Sequence, residues 1–114
     1  MNYTIKQQQE IQVVAVNNLF NEFDNHNILE SVNERIKNGA KKIVIDLKNL
    51  KYLNSAGLNF LIAVLTKSRK VGGDTVIANV GEDVSKLLVI TKLKQVFSTA
   101  DTVTAAKQLF ASQN

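Results

Sequence analysis

The residues best suited to chemistry lie in one segment, between a buried strand and the strongest helix that the sequence predicts. Asp46 lies near the end of the strand and Ser55 begins the helix, at the junction where α/β proteins usually place functional groups. A hydroxyl at a helix N-terminus lies beside unpaired backbone N–H groups and the positive end of the helix dipole. Taken alone, these residues favour a structural role, in which Asn54 or Ser55 caps the helix and the small Gly57 lets it approach the sheet.

A reversible modification of Ser55 is the functional alternative. A phosphate at that position would be stabilised by the same N–H groups and by the helix dipole. It would add about −1.5 to −2 charge at one point without unfolding the domain. The segment is therefore compatible with a switch in which an uncharged docking surface becomes anionic.

Several enzyme classes are excluded by what the chain lacks. It has no cysteine and one histidine, His26, so thiolate chemistry and multi-histidine metal sites are ruled out within one chain. No glycine-rich nucleotide fingerprint follows a strand, and Ser55 is not in a Gly-x-Ser-x-Gly elbow. A small enzyme that uses Ser55, Asp24 or Asp46 for acid–base work is the weakest hypothesis. We predict no catalytic residue, no metal and no cofactor, and we interpret His26 as a polar residue at the entry to the first helix.

Composition and charge favour a small cytoplasmic protein. The chain has 114 residues, 45% hydrophobic and 21% charged, and its longest apolar run, residues 60–65, is far shorter than the roughly 20 residues that cross a bilayer. The N-terminus does not resemble a signal peptide. The net charge is +4, but the basic residues are scattered and are nearly all lysines. Nucleic-acid binders favour arginine forks and aromatic platforms, so we predict neither a nucleic-acid nor a membrane partner.

The spacing of apolar residues alternates between strand and helix periods. The predicted strands cover residues 3–7, 11–16, 42–47, 75–78 and 96–97. The predicted helices run from an Asn27 cap to Gly39, over 55–71, over 82–90 and over 102–111. This order, β-β-α-β-α-β-α-β-α, indicates one α/β domain over residues 1–114. We expect a mixed, mostly parallel sheet of four to five strands, an N-terminal antiparallel hairpin and about four helices.

The helical spacing also predicts which side chains face the core. The inward residues are Leu29, Val32 and Ile36 in the first helix, Leu58, Leu61, Ile62 and Leu65 in the second, Val84, Leu87 and Leu88 in the third, and Val103, Ala106, Leu109 and Phe110 in the last. Phe60 and Val64 lie beside this stripe on the second helix. They are either the flank of a broad buried face or an apolar contact patch for a partner. Residues 48–53 are predicted to form a loop with buried anchors.

One motif resembles a known family. Asp46-Leu47-x-x-Leu50-x-x-Leu53-Asn54-Ser55-Ala56-Gly57-Leu58, followed by an amphipathic helix and Gly72-Gly73, is similar to the STAS domain. More narrowly, it resembles the stand-alone bacterial anti-sigma factor antagonists, whose pattern is Asp-Leu, a short loop, and then Asp-Ser-Ser/Thr/Ala-Gly-Leu. The resemblance in element order covers nearly the whole chain.

This resemblance implies regulation by partner switching. In that family the unphosphorylated antagonist binds a serine protein kinase that doubles as the anti-sigma factor. Phosphorylation of the motif serine, matched here by Ser55, separates the two proteins, and a serine phosphatase resets the antagonist. Partner contacts are expected at Asn54, Ser55, Ala56, Gly57, Leu58, Phe60 and Asp24. We expect a monomer or weak dimer. The alternative is a non-phosphorylated STAS scaffold, a subunit of a lipid-transport or stress-signalling complex.

Two positions depart from the family pattern. Asn54 stands where the motif has an acid, which keeps the capping oxygen and loses a charge. The family also tends to carry Gly-x-Leu-Asp near the end of the second strand, with its Asp beside the phosphorylation site. If Leu19 matches that leucine, the acid has become Phe20; if Phe23-Asp24 is the match, the following helix is shorter.

Overall fold

Nine regular elements and one 3₁₀ turn form the fold of the chain, which a computed structural model describes over residues 2–111. The strands are β1 (Tyr3–Gln8), β2 (Ile11–Val16), β3 (Lys42–Asp46), β4 (Asp74–Ala78) and β5 (Ser98–Ala100). The helices are α1 (Glu22–Lys37), α2 (Ser55–Lys70), α3 (Glu82–Ile90) and α4 (Val103–Ala111), and the 3₁₀ turn covers Leu93–Gln95.

The strands form one sheet in their chain order, β1-β2-β3-β4-β5. β1 and β2 pair antiparallel, with Ile5 opposite Val14, while every later pair is parallel, with Val13 beside Val44 and Val44 beside Val76. Each parallel pair is joined by a crossover that contains a helix, as parallel pairing requires. The predicted α/β fold, with a mixed sheet and an antiparallel N-terminal hairpin, is confirmed.

The sheet separates two hydrophobic cores of unequal size. Alternate side chains of β3 point to opposite faces, so Ile43 and Ile45 enter the larger core and Val44 enters the smaller one. Helices α1, α2 and α3 cover the larger core, and α4 covers the smaller one through Ala106 and Phe110. The element that carries the Ser55 motif therefore belongs to the more heavily packed side of the sheet.

Helix α1 begins earlier than the sequence predicts. Asn21 is the N-cap, because its Oδ1 accepts hydrogen bonds from the backbone N–H groups of Phe23 and Asp24 at 2.8 and 3.2 Å. Asn27, the predicted cap, lies inside the helix. The earlier start brings Asn25 and Ile28 into the core, and Leu29, which was predicted to face inward, is only half-buried.

The other differences concern the faces of elements rather than their existence. β5 is Ser98–Ala100 instead of 96–97, since Val96 is exposed and Phe97 packs into the larger core. The loop over 48–53 has a buried anchor, Leu50, as the sequence predicts, while Leu53 is half-buried and Tyr52 is exposed. Ile62 and Leu109, both predicted to face inward, are each 37% exposed. No helix within the described residues is long and apolar enough to span a membrane.

Candidate functional site

The N-terminus of α2 is fixed by an asparagine cap. The Oδ1 of Asn54 accepts a hydrogen bond from the Gly57 N–H at 2.9 Å, and the Asn54 carbonyl accepts the first helical bond from Leu58 N at 3.0 Å. This arrangement satisfies the N–H group of the third helical position. The capping role that the residue types favour is therefore confirmed for Asn54.

Ser55 is the first residue of the helix, and its side chain points away from the core. Five serines lie between residues 2 and 111, and Ser55 alone is exposed. Within that part of the chain, its hydroxyl and the backbone N–H groups of Ser55 and Ala56 make no hydrogen bond. No acidic side chain occupies the first turn of α2. The site therefore combines an accessible nucleophilic oxygen, free N–H donors and an uncompensated helix dipole.

Gly57 is a packing position rather than an exposed contact. It is buried, and a Cβ at this position would collide with the Cδ1 of Leu53 and lie 3.2 Å from the Cβ of Leu19. The absence of a side chain lets α2 approach these two leucines and sets the height of Ser55 above the core. The expectation of a partner contact at Gly57 therefore does not fit its burial.

A second hydrogen bond of Asn54 joins the α2 start to the chain segment before α1. The Nδ2 of Asn54 donates to the carbonyl oxygen of Phe20 at 3.2 Å. A carboxylate can accept the capping hydrogen bond, but it cannot donate this second one. This explains in physical terms why an asparagine fits where the motif has an acid.

Leu19 is the leucine that packs at the site. It is 1% exposed, and its Cβ lies 3.2 Å from the position that a Cβ on Gly57 would take. This contact supports the match of Leu19 to the leucine of the Gly-x-Leu-Asp pattern, which places Phe20 at the position of the acid. Asp24 instead shares a small hollow with Asn2 and Tyr3, on the β1 side of α1. No hydrogen bond or ion pair joins Asp24 to Ser55 within the described residues, and a partner contact at Asp24 stays a prediction.

Three exposed aromatic side chains lie in the segments that meet at the Asn54–Phe20 hydrogen bond. Phe20 is 50% exposed, Phe23 is 73% exposed and Tyr52 is 64% exposed. Large exposed aromatics are candidates for interaction surfaces, because folded domains bury most such groups. The sequence offered one signal for this surface, since Phe23 stands between two acidic residues, Glu22 and Asp24.

Phe60 does not belong to this exposed surface. It is 3% exposed, and Val64 is fully buried; both pack into the larger core. Phe60 and Val64 are therefore the flank of a broad buried face and do not form an exposed patch, while a partner contact at Phe60 stays a prediction. The reason is a rotation of the helix, which turns Phe60 and Val64 inward and Ile62 outward. Leu58 and Ala56 are half-buried, and their role as contacts stays a prediction.

The polar groups that could serve an enzyme have structural partners instead. The Oδ1 of Asp46 accepts hydrogen bonds from Lys48 N at 3.0 Å and from Asn79 Nδ2 at 2.8 Å, which ties the ends of β3 and β4 together. His26 lies inside α1 and pairs with Glu30 at 3.2 Å on the surface. Over residues 2–111, no group of three His, Cys, Asp or Glu side chains is arranged to hold a metal ion.

Comparison with known proteins places this arrangement in a family. The STAS domain model matches residues 2–106. The sequence is 29% identical over 76 residues to BtrV of Bordetella bronchiseptica, which is named as a candidate anti-sigma factor antagonist. That alignment covers 67% of this chain and 66% of BtrV, so it spans slightly less than two thirds of that relative.

Solved structures agree in fold. The crystal structure of a candidate anti-sigma factor antagonist from Thermotoga maritima matches with a TM-score of 0.85 and 20% identity, over 93% of this chain and 92% of that one. SpoIIAA, described as an anti-sigma factor antagonist and a Bacillus cell-fate determinant, matches in two forms. The unphosphorylated form gives a TM-score of 0.79 at 18% identity over 96% of each chain. The phosphorylated form gives 0.74 at 17% identity over 94% of this chain and 98% of that one. The chain belongs to the STAS domain family, and its relatives include anti-sigma factor antagonists.

Proposed function

We propose that this chain is a cytoplasmic anti-sigma factor antagonist that acts by partner switching, with Ser55 as its phosphorylation site. In its unphosphorylated form it binds an anti-sigma factor that is also a serine protein kinase. Phosphorylation of Ser55 releases that partner, and a serine phosphatase restores the binding form. The chain acts by binding and needs no cofactor of its own.

The observation that carries the proposal is that Ser55 is exposed at the start of α2, whose first turn contains no acidic side chain. A kinase must reach the hydroxyl oxygen, and Ser55 is the exposed serine of the described region. In the transfer, the Ser55 oxygen attacks the γ-phosphorus of ATP, ADP leaves, and the hydroxyl proton passes to a base of the kinase. The phosphate produced lies within reach of the free N–H groups of Ser55 and Ala56.

The effect on binding follows from the cost of burying the new charge. Phe20, Phe23 and Tyr52 are exposed in the chain segments that the Asn54–Phe20 hydrogen bond joins, and they offer apolar surface that a partner can cover. A doubly charged phosphate on Ser55 must lose its water when a partner covers this end of α2, and burying an unpaired charge costs several kcal/mol. Since about 1.4 kcal/mol corresponds to tenfold in affinity, the complex is expected to weaken by orders of magnitude.

The fold is expected to survive the modification. The phosphate adds charge to an exposed position at the positive end of a helix, where negative charge is favourable. SpoIIAA, which shares the fold, has been solved both with and without its phosphate. The switch therefore acts on the binding surface, and a collapse of the domain is not required.

The test is phosphorylation of purified protein by the anti-sigma factor kinase of the same organism with magnesium ATP, followed by intact-mass measurement. Wild type is expected to gain the mass of one phosphate. Ser55→Ala is expected to gain none and still bind the kinase, and Ser55→Asp is expected to bind it at least about tenfold more weakly. Ser85→Ala is the matched control, because Ser85 is a half-exposed serine near the start of another helix.

Two outcomes would overturn the proposal. Normal phosphorylation of the Ser55→Ala protein would remove Ser55 as the site. Tight kinase-independent binding to a transporter ATPase, or to a larger stress-signalling assembly, with no phosphate on wild type, would instead support the scaffold role.

A further inference from the structure

A pocket opens at the end of the sheet opposite to Ser55. It lies where β2 and β3 begin and α1 ends, whereas Ser55 follows the segment that leaves the other end of β3. Its volume is about 460 Å³. Side chains that carry an amide form much of its lining, namely Gln7, Gln9, Gln12 and Asn38.

One of these amides is buried on a face of the sheet that otherwise carries apolar side chains. Gln12 is 5% exposed and lies on the same face of β2 as Val14 and Val16, which enter the larger core. Burying an amide costs free energy unless its polar atoms are hydrogen-bonded. Within the described residues, the Gln12 side chain makes a single hydrogen bond, in which its Oε1 accepts from Arg35 Nη1 at 3.1 Å.

That hydrogen bond leaves the amide nitrogen of Gln12 free. A guanidinium can only donate, so the contact fixes which end of the Gln12 amide is oxygen. The nitrogen, Nε2, makes no hydrogen bond over residues 2–111. It is not sealed in the protein either, because the buried side-chain atoms without a partner in this region are limited to Asn25 Oδ1. Nε2 is therefore a donor that can be reached through the exposed part of Gln12, which lines the pocket.

Arg35 supplies further free donors beside this nitrogen. It is half-buried, and in the described part of the chain it forms no ion pair and no side-chain hydrogen bond besides the one to Gln12. A basic residue in the last turn of a helix is favourable by itself, so the charge of Arg35 needs no ligand. The arrangement of the donors is more specific: Nη2 of Arg35 and Nε2 of Gln12 are each one bond removed from an atom of the same 3.1 Å hydrogen bond.

The charge around these donors is positive. Lys41 and Lys42 line the pocket together with Arg35, against one acid, Glu10. The Glu10 side chain is 84% exposed and pairs with Lys42 at 3.2 Å. The C-terminal carbonyl groups of α1 do not compete for the pocket donors, because they accept backbone N–H groups of residues 38–40. The excess of two positive charges matches a phosphate monoester, which carries about −1.5 to −2 charge at pH 7.

The rest of the lining indicates what the phosphate is attached to. The amides of Gln7, Gln9 and Asn38 can both donate and accept hydrogen bonds, as hydroxyl groups require. Among the described residues no aromatic side chain lines the pocket, so it offers no surface on which a nucleobase could stack. We propose that this pocket binds a small sugar phosphate, with the phosphate held by Arg35 and the Gln12 nitrogen and the hydroxyl groups facing the other amides.

The proposal gives the chain a small-molecule ligand in addition to its protein partners, and it does not rest on the proposed function. The pocket and the Ser55 site lie at opposite ends of the sheet, so both can be occupied at once. They are linked through α1, which carries Arg35 in its last turn and the exposed Phe23 in its first. A ligand on Arg35 therefore contacts the helix that also contributes to the exposed aromatic surface.

The first experiment needs no partner protein. Proton–nitrogen correlation spectra of the nitrogen-labelled chain, in a buffer free of phosphate and sulfate, are recorded during titration with glucose-6-phosphate as the sugar phosphate. Glucose lacks the anion, glucuronate carries a carboxylate in its place, and inorganic phosphate lacks the sugar. We expect the sugar phosphate to give saturable shifts at the Gln12 side-chain amide and at the backbone amides of Gly39 and Lys42, with a dissociation constant on the order of millimolar.

The matched ligands separate the two parts of the proposal. Glucuronate is expected to bind about tenfold more weakly than the sugar phosphate, because it carries a single negative charge. Inorganic phosphate is also expected to bind about tenfold more weakly, because it makes no contact through sugar hydroxyl groups. Glucose is expected to give no saturable shift.

Three variants test the residues that hold the phosphate. Gln12→Leu keeps the volume of a buried side chain and removes the amide, so the domain is expected to fold and the affinity to fall at least about tenfold. Arg35→Lys keeps the charge and loses the planar fork, and it is expected to weaken binding about tenfold. Lys37→Gln is the matched control, since it removes a positive charge from the same last turn of α1 but does not line the pocket, and it is expected to leave the affinity within about twofold. Circular dichroism checks that each variant is folded.

The proposal is overturned if the sugar phosphate gives no saturable shift at the pocket. It is also overturned if glucose, glucuronate or inorganic phosphate binds equally well, or if Lys37→Gln weakens binding as much as Arg35→Lys. None of these measurements involves a kinase. An empty pocket would leave the Ser55 switch standing, and a chain that no kinase modifies would leave the sugar phosphate site standing.

Discussion

The N-termini of α1 and α2 have the same kind of cap but carry different side chains in their first turns. Each is capped by an asparagine whose side-chain oxygen accepts hydrogen bonds from backbone N–H groups: Asn21 for α1 and Asn54 for α2. In α1 the first turn carries two acids, Glu22 and Asp24, whereas the first turn of α2 carries none and presents the Ser55 hydroxyl. Negative charge near a helix N-terminus is stabilising. The dipole of α1 is therefore compensated by its own side chains, and that of α2 is uncompensated, as the proposed phosphorylation of Ser55 would exploit.

The two starts also differ in how they are held in place. The third helical residue of α1 is the exposed Asp24, while that of α2 is the buried Gly57, packed against Leu19 and Leu53. The start of α2 thus gains its rigidity from packing on the core instead of from charge. A packed start without acidic side chains is compatible with the proposed switch, in which a phosphate would change the surface without moving the helix.

The largest expected effect comes from breaking the packed start. Gly57→Val is expected to lower the free energy of unfolding by about 1–3 kcal/mol, because its branched side chain must displace the end of the Leu53 side chain and lies tight against the buried Cβ of Leu19. Asp24→Val changes the equivalent position of α1, which is exposed, so the new side chain is not forced into the core. It is expected to lower the free energy of unfolding by less than about 1 kcal/mol, through the lost charge and helix propensity. Urea unfolding followed by circular dichroism measures both. Equal shifts of the two midpoints would show that packing does not distinguish the helix starts.

A second effect tests whether the two starts act as one unit. Asn54→Ala and Asn21→Ala are each expected to cost about 1 kcal/mol through loss of a cap. Asn54 also holds the Phe20 carbonyl, directly before Asn21, so the double variant is expected to deviate from additivity by at least about 0.5 kcal/mol.

The α4 cap supplies the control for this cycle. Thr102 accepts a hydrogen bond from Ala105 N at 3.0 Å and lies outside the larger core. When Thr102→Ala is combined with Asn54→Ala, the two losses of unfolding free energy are expected to add. A fully additive Asn21/Asn54 pair would mean that the Asn54–Phe20 bond does not couple the helix starts.

The sequence predicted the fold well where the spacing of apolar residues and the capping or helix-ending residues indicate the same boundaries. The third helix matches its predicted bounds, and the start of α2 at Ser55 follows from Asn54, the small residues and the leucine spacing. The start of α1 was missed because Asn21 and Asn27 are both plausible caps followed by acids. The choice is made by tertiary contacts, namely the burial of Ile28 and the Asn25 hydrogen bond to Leu19, which no local pattern contains.

The candidate site was only partly accessible to sequence reasoning. The motif located Ser55, since a serine directly before a long amphipathic pattern can be recognised from the sequence alone. The exposure of Phe23 was not, because aromatic residues are usually buried and only the fold turns this one outward. The inward rotation of Phe60 was missed for a related reason: several neighbouring positions of α2 are apolar, and the stripe that faces the core depends on how α2 packs on its neighbours.

The smallest expected effect tests whether negative charge stabilises the start of α2 as it does the start of α1. Ser55→Asp places a permanent acid at the first position of α2 and is expected to raise the free energy of unfolding by about 0.3–1 kcal/mol, while Glu22→Gln at the first position of α1 is expected to lower it by a similar amount. Thr66→Asp is the control, because Thr66 is exposed on the same helix but far from its N-terminus. Urea unfolding at low salt and again at about 1 M salt separates the causes, since salt screens exposed charges strongly at that concentration. If Ser55→Asp destabilises the protein, or stabilises it equally at both salt concentrations, the start of α2 is not an open site for negative charge.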